Sequence, residues 1–139
     1  MKKLLFILVM LSAFSVNAQI VIKESPKDTV VWQATKLSTV PKIVRFEVDG
    51  EYSYTIYYKN AKYTAITDID YLTTGDLETT KQFYDLCNTA ITEGKEYNIE
   101  MDNKSIVIKK AMGNVMIYTS TSHFYLSEKQ VTSIIEKLK

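Results

Sequence analysis

The stretch FEVDGEYSYTIYY, residues 46–58, places four tyrosines within seven residues directly after an Asp-Gly pair. An Asp-Gly pair between two alternating apolar segments is a strong signal for a β-hairpin. A strict two-residue turn at Asp49-Gly50 would pair Phe46 with Ser53. A three-residue loop, with the glycine in a bulge, pairs Phe46 with Tyr52 instead. Because a one-residue slip exchanges the two faces of a strand, the turn determines where the rings point.

We favour the three-residue loop because it brings the apolar side chains of the hairpin to one face. That face carries Val44, Phe46, Tyr52, Tyr54, Ile56 and Tyr58, and the other carries Arg45, Glu47, Ser53, Thr55 and Tyr57. Aromatic cross-strand pairs contribute about 0.2–1 kcal/mol each, and burial adds about 25 cal/mol per Å² of apolar area. The sequence therefore predicts that most of these tyrosines belong to the core or its rim, with hydroxyls that reach polar partners.

Around this hairpin, one order of predicted elements occurs twice, namely three strands followed by a helix. The first half has strands at 42–48, 52–59 and 62–69 and a helix at about 76–93. The second half has strands at 96–102, 104–110 and 115–121 and a helix at about 128–138. The predicted caps are Asp76 and Gly94 for the first helix, and a capping box of Ser127 and Gln130 for the second.

This order predicts a two-layer α+β fold. A tandem β-β-β-α repeat gives a six-stranded antiparallel sheet with two helices on one face, and a closed barrel with appended helices is the main rival. We expect a single domain at 40–139, with half-repeats 40–94 and 95–139. Residues 19–39 precede the repeat and form either an edge strand or a flexible N-terminal arm whose Trp32 docks on the core.

The first 18 residues, MKKLLFILVMLSAFSVNA, have the pattern of a secretory signal peptide. Lys2 and Lys3 make the positive start, an apolar stretch follows, and Val16-Asn17-Ala18 resembles a cleavage site. The apolar stretch is too short to span a bilayer as a stable helix. We therefore expect cleavage after Ala18, a periplasmic or extracellular location, and no membrane insertion of the mature chain.

The charge balance excludes some classes of partner. The chain has 17 Lys+Arg and 16 Asp+Glu, and loss of the two signal lysines leaves the mature chain near a net charge of −1. Nucleic-acid binding depends on clustered lysine and arginine, and no basic block is present in the sequence. We therefore expect no nucleic-acid partner. A protein or peptide partner fits this balance, and self-association stays open.

Few residues in the sequence offer chemistry for catalysis. Cys87 is the sole cysteine and His123 the sole histidine, so neither a disulfide within the chain nor the usual zinc ligand set is available. Cys87 shares a helical stripe with Phe83 and Ile91, which favours a buried thiol over a Cys-His nucleophile. The four glycines show no phosphate-binding spacing. The sequence therefore predicts no catalytic residues and no cofactor.

The best metal candidate is the acidic segment TDIDYLTTGDLE, residues 67–78. Its carboxylates are Asp68, Asp70, Asp76 and Glu78, and the D-x-D start resembles a calcium-binding loop. The remaining positions do not match, since Leu72 and Thr79 occupy places where oxygen ligands belong. Helix N-termini also favour acidic residues for their own reasons. We therefore expect no metal site, with these four residues as a weak calcium candidate or acid/base pair.

The uncovered face of the predicted sheet is the candidate binding site. Its side chains are Arg45, Thr55, Tyr57 and Tyr118, and tyrosine and arginine are common at interface hot spots. The leading hypothesis is a non-catalytic exported module that binds a protein or peptide by this face or through its N-terminal arm. One alternative is a structural subunit of a surface or virion-like assembly held by that arm. The other is a small enzyme or calcium-binding protein that uses the acidic segment.

Overall fold

The computed structural model describes residues 27–37, 40–63, 65 and 67–139, which form two four-stranded antiparallel sheets and two helices. The first sheet contains β1 (Lys27–Gln33), β2 (Lys42–Val48), β3 (Glu51–Lys59) and β4 (Ile69–Gly75), and helix α1 (Leu77–Glu93) follows it. The second contains β5 (Tyr97–Met101), β6 (Lys104–Ala111), β7 (Asn114–Tyr118) and β8 (His123–Ser127), and helix α2 (Glu128–Lys137) follows it. The predicted signal peptide and its cleavage site lie outside the described residues.

The predicted single six-stranded sheet is wrong. Each half of the chain supplies four strands rather than three, and each set of four forms its own sheet in sequential order. Two strands escaped the sequence analysis. The segment 62–69 was predicted as a strand, but strand β4 begins only at Ile69. Strand β8 runs directly into the N-cap of α2, so no turn residue separates it from the helix.

Strand β1 resolves the two alternatives for the segment before residue 40. Residues Lys27–Gln33 pair with β2 as an edge strand, with a bulge between Val30 and Trp32. The Trp32 side chain is 6% exposed and its indole N–H donates a hydrogen bond to the Ser133 hydroxyl of α2 at 3.1 Å. The described part of this segment is therefore built into the fold.

The β2–β3 hairpin has the two-residue turn, so the predicted three-residue loop is wrong. Val48 pairs with Glu51, and both turn residues adopt left-handed backbone angles, with φ of 54° at Asp49 and 81° at Gly50. Aspartate and glycine tolerate this conformation better than other residues, and such a turn matches the twist of the strands. The Asp-Gly pair therefore forms the two-residue turn, and the hairpin needs no bulge there.

This register inverts the predicted faces of β2 but leaves those of β3 intact. Tyr54 and Tyr58 are buried in the core, as predicted. In β2, however, Arg45 lies opposite Tyr54, whereas Val44 and Phe46 lie on the other side of the sheet. We call the side that carries Tyr54 and Tyr58 the inner face of the first sheet, and the side that carries the buried Ile106 and Ile117 the inner face of the second. The opposite sides are the outer faces.

Both helices begin and end within one residue of the predicted positions. The Asp76 carboxylate accepts a hydrogen bond from the Thr79 N–H at 2.8 Å, and Gly94 closes α1 in the left-handed conformation. Ser127 and Gln130 form the complete capping box of α2. These caps satisfy backbone groups that a helix cannot pair internally.

The two helices join the sheets into one core. Helix α1 contacts β3 and β4 of the first sheet as well as β6 and β7 of the second, and α2 contacts β8 and β1. Their apolar stripes meet inner-face residues of both sheets in one cluster, whose fully buried members include Ile56, Leu72, Ile106, Ile117 and Ile134. Leu77 at the start of α1 and Leu138 after α2 line one groove, and Asp85 and Ile135 line another, so the chain directions of the two helices are opposed.

The two sheets meet where β3 ends and β8 begins, and we call this place the sheet junction. The Ala61 N–H donates to the His123 carbonyl at 2.8 Å, and the Tyr58 hydroxyl lies 2.7 Å from that of Ser122. The rings of Tyr58 and Phe124 stack with their centroids 3.9 Å apart. The junction therefore fixes the relative position of the two outer faces.

Candidate binding surface

The outer face of the first sheet carries a pair of tyrosines between two lysines. Tyr57 and Tyr71 are cross-strand neighbours, with ring centroids 6.1 Å apart. Lys42, opposite Tyr57 in β2, places its ammonium 5.7 Å from the Tyr57 ring centroid. Lys104 reaches across the junction from the second sheet and lies 5.1 Å from the Tyr71 centroid. Tyr71 is nevertheless 51% exposed, so its ring remains open to a partner.

The outer face of the second sheet repeats this chemistry. Tyr118 and His123 are cross-strand neighbours with ring centroids 5.2 Å apart, and Tyr125 follows at 5.9 Å from His123. The Lys109 ammonium lies 5.0 Å from the Tyr118 centroid. We define the aromatic–lysine surface as Tyr57, Tyr71, Tyr118 and His123 with Lys42, Lys104 and Lys109.

A cleft opens beside this surface at the sheet junction, and we call it the junction cleft. Its volume is about 390 Å³. Its lining consists of four aromatic residues together with Pro41, Lys59 and Ala61; the aromatic residues are Tyr58, Tyr63, Phe124 and Tyr125. Tyr63 and Tyr125 are 42% and 44% exposed, so the two rings form the walls of the cleft rather than part of the core.

The floor of the cleft is held by a polar network behind Tyr58. The Ser122 hydroxyl contacts both the Tyr58 hydroxyl and the Thr119 hydroxyl, which lies at 3.0 Å. The Tyr58 hydroxyl also donates to the Asp70 carboxylate at 3.4 Å. Burial raises the pKa of Tyr58, and the nearby Asp70 charge raises it further. The phenol is therefore neutral and serves as a fixed support.

Asp70 remains ionised in this network. Burial alone would raise its pKa, but hydrogen bonding from Ser122 and from the Tyr71 N–H, together with the positive charge of Lys104, outweighs burial. The net effect lowers the pKa of Asp70 below its ordinary value. Its carboxylate is thus occupied by groups of this chain.

Asn60 fixes the loop that forms one side of the cleft. Its side chain is buried, donates to the Asp68 carboxylate at 3.1 Å, and accepts from the backbone N–H groups of Lys62 and His123. These bonds hold the residues after β3 against the start of β8. A buried amide with three partners at a loop is costly to replace, so we regard Asn60 as a positioning residue for the cleft.

Within the described residues, no lysine around the junction forms an ion pair within 4 Å, although the charge of Lys104 acts on Asp70 from farther away. Across the described ranges, the one ion pair within 4 Å joins Lys95 and Glu93, near the end of α1. Lys42 and Lys62 instead contact tyrosine rings, and Lys59 is exposed. The surface therefore presents ammonium groups and aromatic rings together, with its nearest carboxylates engaged in internal hydrogen bonds.

Only two of the four predicted binding residues belong to the aromatic–lysine surface. Tyr57 lies on the outer face of the first sheet and Tyr118 on that of the second. Thr55 shares the outer face with Tyr57, yet it is only 5% exposed and its hydroxyl contacts that of Thr73 at 3.1 Å. The placement of Arg45 on this face is wrong, because the two-residue turn moves it to the inner side, where its guanidinium covers the Tyr52 ring at 4.5 Å.

Sequence analysis missed four aromatic residues near the junction: Tyr63, Tyr71, His123 and Tyr125. Two of them lie in β8, and the alternation of apolar and polar residues in HFYLS would have indicated that strand. Tyr71 was missed because β4 was placed too early in the chain. The cleft itself arises from contacts between residues about 60 positions apart, which no local pattern reports.

The four residues of the weak calcium candidate do not converge. Asp68 and Asp70 lie at the start of β4 and Asp76 and Glu78 after its end, and a strand of this length separates them by about 20 Å. Asp76 caps α1, and Asp68 accepts a hydrogen bond from Asn60. Within the described residues no three histidine, cysteine or acidic side chains are grouped to hold a metal ion.

Cys87 and His123 are also kept apart. Cys87 is fully buried in the core stripe of α1, as predicted, and burial raises the pKa of its thiol. His123 lies on the outer face of the second sheet, so the sheet stands between them. A thiol with a raised pKa and no access to solvent is a poor nucleophile.

Comparisons with known proteins give no family for this chain. No protein-family model matches it, no curated protein matches it significantly, and no solved structure matches its fold significantly. Of the helices in the described ranges, none has the length and apolar character needed to cross a membrane.

Proposed function

We propose that this protein is a small exported, non-catalytic binding module that recognises a protein or peptide partner. The observation that carries the proposal is the aromatic–lysine surface at the sheet junction. There, partly exposed rings on the two outer faces lie beside lysine ammonium groups that form no ion pair within 4 Å in the described residues, while both helices pack on the inner faces. Tyrosines held rigidly on a sheet offer contact area at low entropic cost.

The rigidity of this surface supports a binding role. Each ring is held by a cross-strand neighbour, as Tyr57 is by Tyr71 and Tyr118 by His123. The rings lie on β3 and β4 of the first sheet and on β7 and β8 of the second, and the junction hydrogen bonds link the two sheets. Binding to such a preformed surface requires little ordering of the protein, which leaves more of the contact energy for affinity.

We propose a non-catalytic function because none of the described side chains is an activated nucleophile or base. Catalytic nucleophiles and bases are side chains with accessible, suitably shifted pKa values, usually in mutual hydrogen-bond contact. Here Cys87 is buried with a raised pKa, and Asp70 has a lowered pKa and internal partners. We propose no cofactor and no metal for the same reason.

Export is part of the proposal and depends on the N-terminal sequence pattern. Residues 1–18 have the charge, length and small residues of a secretory signal. N-terminal sequencing of the protein purified from its host tests this point. A mature chain that begins at Gln19 agrees with it, and an intact Met1 in the cytoplasmic fraction contradicts it.

Affinity capture from the native host tests the binding role. The mature chain, residues 19–139 with a C-terminal tag, is incubated with an envelope extract, and bound proteins are identified by mass spectrometry. We expect a discrete partner in stoichiometric amount. The double variant Tyr71→Ala/Tyr118→Ala removes one ring of the aromatic–lysine surface from each outer face and should reduce capture at least tenfold.

The matched control is Tyr52→Ala, which removes an exposed tyrosine at the β2–β3 turn, at the opposite end of the first sheet from the junction. This variant should capture the partner as well as the parent chain does. Equal capture by the double variant, or no stoichiometric partner at all, would contradict the proposed role. Circular dichroism of each variant verifies that the fold is intact.

A further inference from the structure

We infer that the junction cleft is the specificity pocket of this module, and that it takes an acidic peptide segment with one aromatic or large aliphatic side chain. The anchor side chain enters the cleft, and flanking carboxylates contact Lys42, Lys59 and Lys62. This inference rests on the proposed function and adds the site and the chemistry of the partner.

The size and walls of the cleft suit an apolar anchor. Pockets that bind ligands commonly have volumes of about 300–1,000 Å³, and this cleft is near the lower limit at about 390 Å³. Tyr63 and Tyr125 present ring surfaces, and Pro41 adds a rigid apolar contact. Aromatic rings pack favourably on other rings and on aliphatic groups, so one large side chain matches this lining.

The floor of the cleft is preorganised. Tyr58 stacks on Phe124 at 3.9 Å, and the Tyr58 hydroxyl contacts Ser122 at 2.7 Å. Asn60 fastens the adjoining loop to His123. A pocket held by buried hydrogen bonds in this way keeps its shape without a ligand, which reduces the entropy lost on binding.

The charges at the rim favour an acidic partner. Lys59 lines the cleft, Lys42 follows Pro41, and the Lys62 ammonium lies 5.6 Å from the ring centroid of Tyr63. None of the three forms an ion pair within the described ranges, where the one pair is Lys95 with Glu93. The neighbouring acids are committed, Asp68 to Asn60 and Asp70 to the Tyr58–Ser122 network. The rim thus offers donors to carboxylates.

A single-stranded nucleic acid would also find rings and lysines here, since bases stack on aromatic side chains. Such ligands require a basic groove that follows many phosphates, whereas this protein has 17 basic and 16 acidic residues and its junction cleft is short. The observations therefore favour a polypeptide, and an oligonucleotide becomes an arm of the test.

Selection from a random dodecapeptide phage library on the immobilised mature chain tests the inference. We expect the selected peptides to share one aromatic or large aliphatic residue flanked by aspartate or glutamate. The dissociation constant of the best synthetic peptide is then measured by fluorescence polarisation. Tyr125→Ala should raise the dissociation constant of this peptide at least tenfold. Lys59→Glu should raise it at least fivefold and reduce the salt dependence of binding.

Matched controls are Tyr52→Ala for the ring and Lys129→Glu for the charge, since both residues are exposed and lie away from the cleft. Neither should change the affinity more than twofold. The inference is overturned if the library yields no shared sequence or if the selected peptides lack acidic residues. It is also overturned if neither cleft variant changes the affinity for the peptide, or if a dodecathymidylate displaces the peptide. Host-partner capture that depends on Tyr71 and Tyr118 but not on Tyr125 overturns this inference alone and leaves the proposed function standing.

Discussion

Two buried tyrosines show how differently a phenol hydroxyl is accommodated in this chain. Tyr58 reaches Ser122 and Asp70 at the junction, whereas the Tyr84 hydroxyl in α1 is buried without a hydrogen-bond partner within the described residues. A buried donor without a partner incurs a desolvation penalty, while a paired one supports its neighbours. The same substitution at the two positions should therefore have opposite consequences.

We expect Tyr58→Phe to lower the free energy of unfolding by about 1–3 kcal/mol, because Ser122 and Asp70 lose a partner. Tyr84→Phe removes a hydroxyl that contributes no hydrogen bond and should be neutral or stabilising. Urea denaturation of both variants measures the difference. A larger loss in Tyr84→Phe than in Tyr58→Phe would contradict the hydrogen-bond assignment.

Asp70 gives the junction a pH dependence with a definite sign. Its folded pKa lies below the ordinary 3.8, so the native state binds the proton less readily than the unfolded chain does. The stabilisation is complete above the unfolded pKa and is lost as the pH falls through the folded one. Between pH 5 and pH 2, we expect the melting temperature of Asp70→Asn to fall less than that of the parent protein. Parallel acid profiles in thermal scans would contradict this expectation.

Sequence analysis predicted individual residues well where the signal was local. The caps at Asp76, Gly94 and Ser127 and the buried Cys87 were all predicted correctly, since each follows from neighbours within one or two helical turns. The predicted position of Arg45 was wrong, because it depended on the length of the β2–β3 turn. The Asp-Gly pair is compatible with both a two-residue turn and a three-residue loop. A one-residue error there exchanged an entire face.

At the scale of elements, α2 is the helix most clearly specified by its own sequence. The Ser127 hydroxyl accepts from the Gln130 N–H at 3.2 Å, and the Gln130 side chain accepts from the Ser127 N–H at 2.9 Å. The helix is short, so its first turn contributes a large share of its stability. Its position against β8 and β1 therefore depends on this cap.

We expect Ser127→Ala to reduce the free energy of unfolding by about 0.5–2 kcal/mol, because one reciprocal hydrogen bond of the capping box is removed. Thr132→Ala, an exposed position in the same helix, is the control and should change it by less than about 0.5 kcal/mol. Chemical denaturation measures both. Equal effects of the two substitutions would show that the cap is not what stabilises α2.

Strands were harder to predict than helices, for physical reasons visible in β4 and β8. The segment before β4 alternates like a strand, but Asn60 holds it as a loop through bonds to Asp68 and to His123, 63 residues away. Strand β8 passes into α2 without a turn residue. In both cases the deciding interactions are non-local, so a window of neighbouring residues does not contain them.

At the scale of the whole molecule, the N-terminal segment and the C-terminal helix hold each other in place. Trp32 of β1 inserts into the common core and its indole donates to Ser133 of α2. Deletion of residues 19–39 would therefore remove an edge strand and a core residue. Residues 27–33 are part of the first sheet, so they are not free to hold an assembly together as an arm.

We expect Trp32→Ala to destabilise the fold by about 3–5 kcal/mol, since it leaves a large cavity and an unpaired Ser133 hydroxyl. Both sheets should melt together in a single transition at lower temperature, because one core joins them. Val30→Ala, exposed on the same strand, is the control and should have little effect. Two separate transitions in the tryptophan variant would contradict the shared core.

The central claim is that a polypeptide partner binds at the sheet junction, where residues of the strands and loops rather than of the helices line the cleft. Hydrogen exchange of the mature chain, measured by mass spectrometry with and without the captured partner, tests it most directly. The account predicts slower exchange at 57–63 and 123–125 in the complex and unchanged exchange along the solvent side of α1. Protection confined to α1 and α2, with the junction segments unaffected, would contradict it.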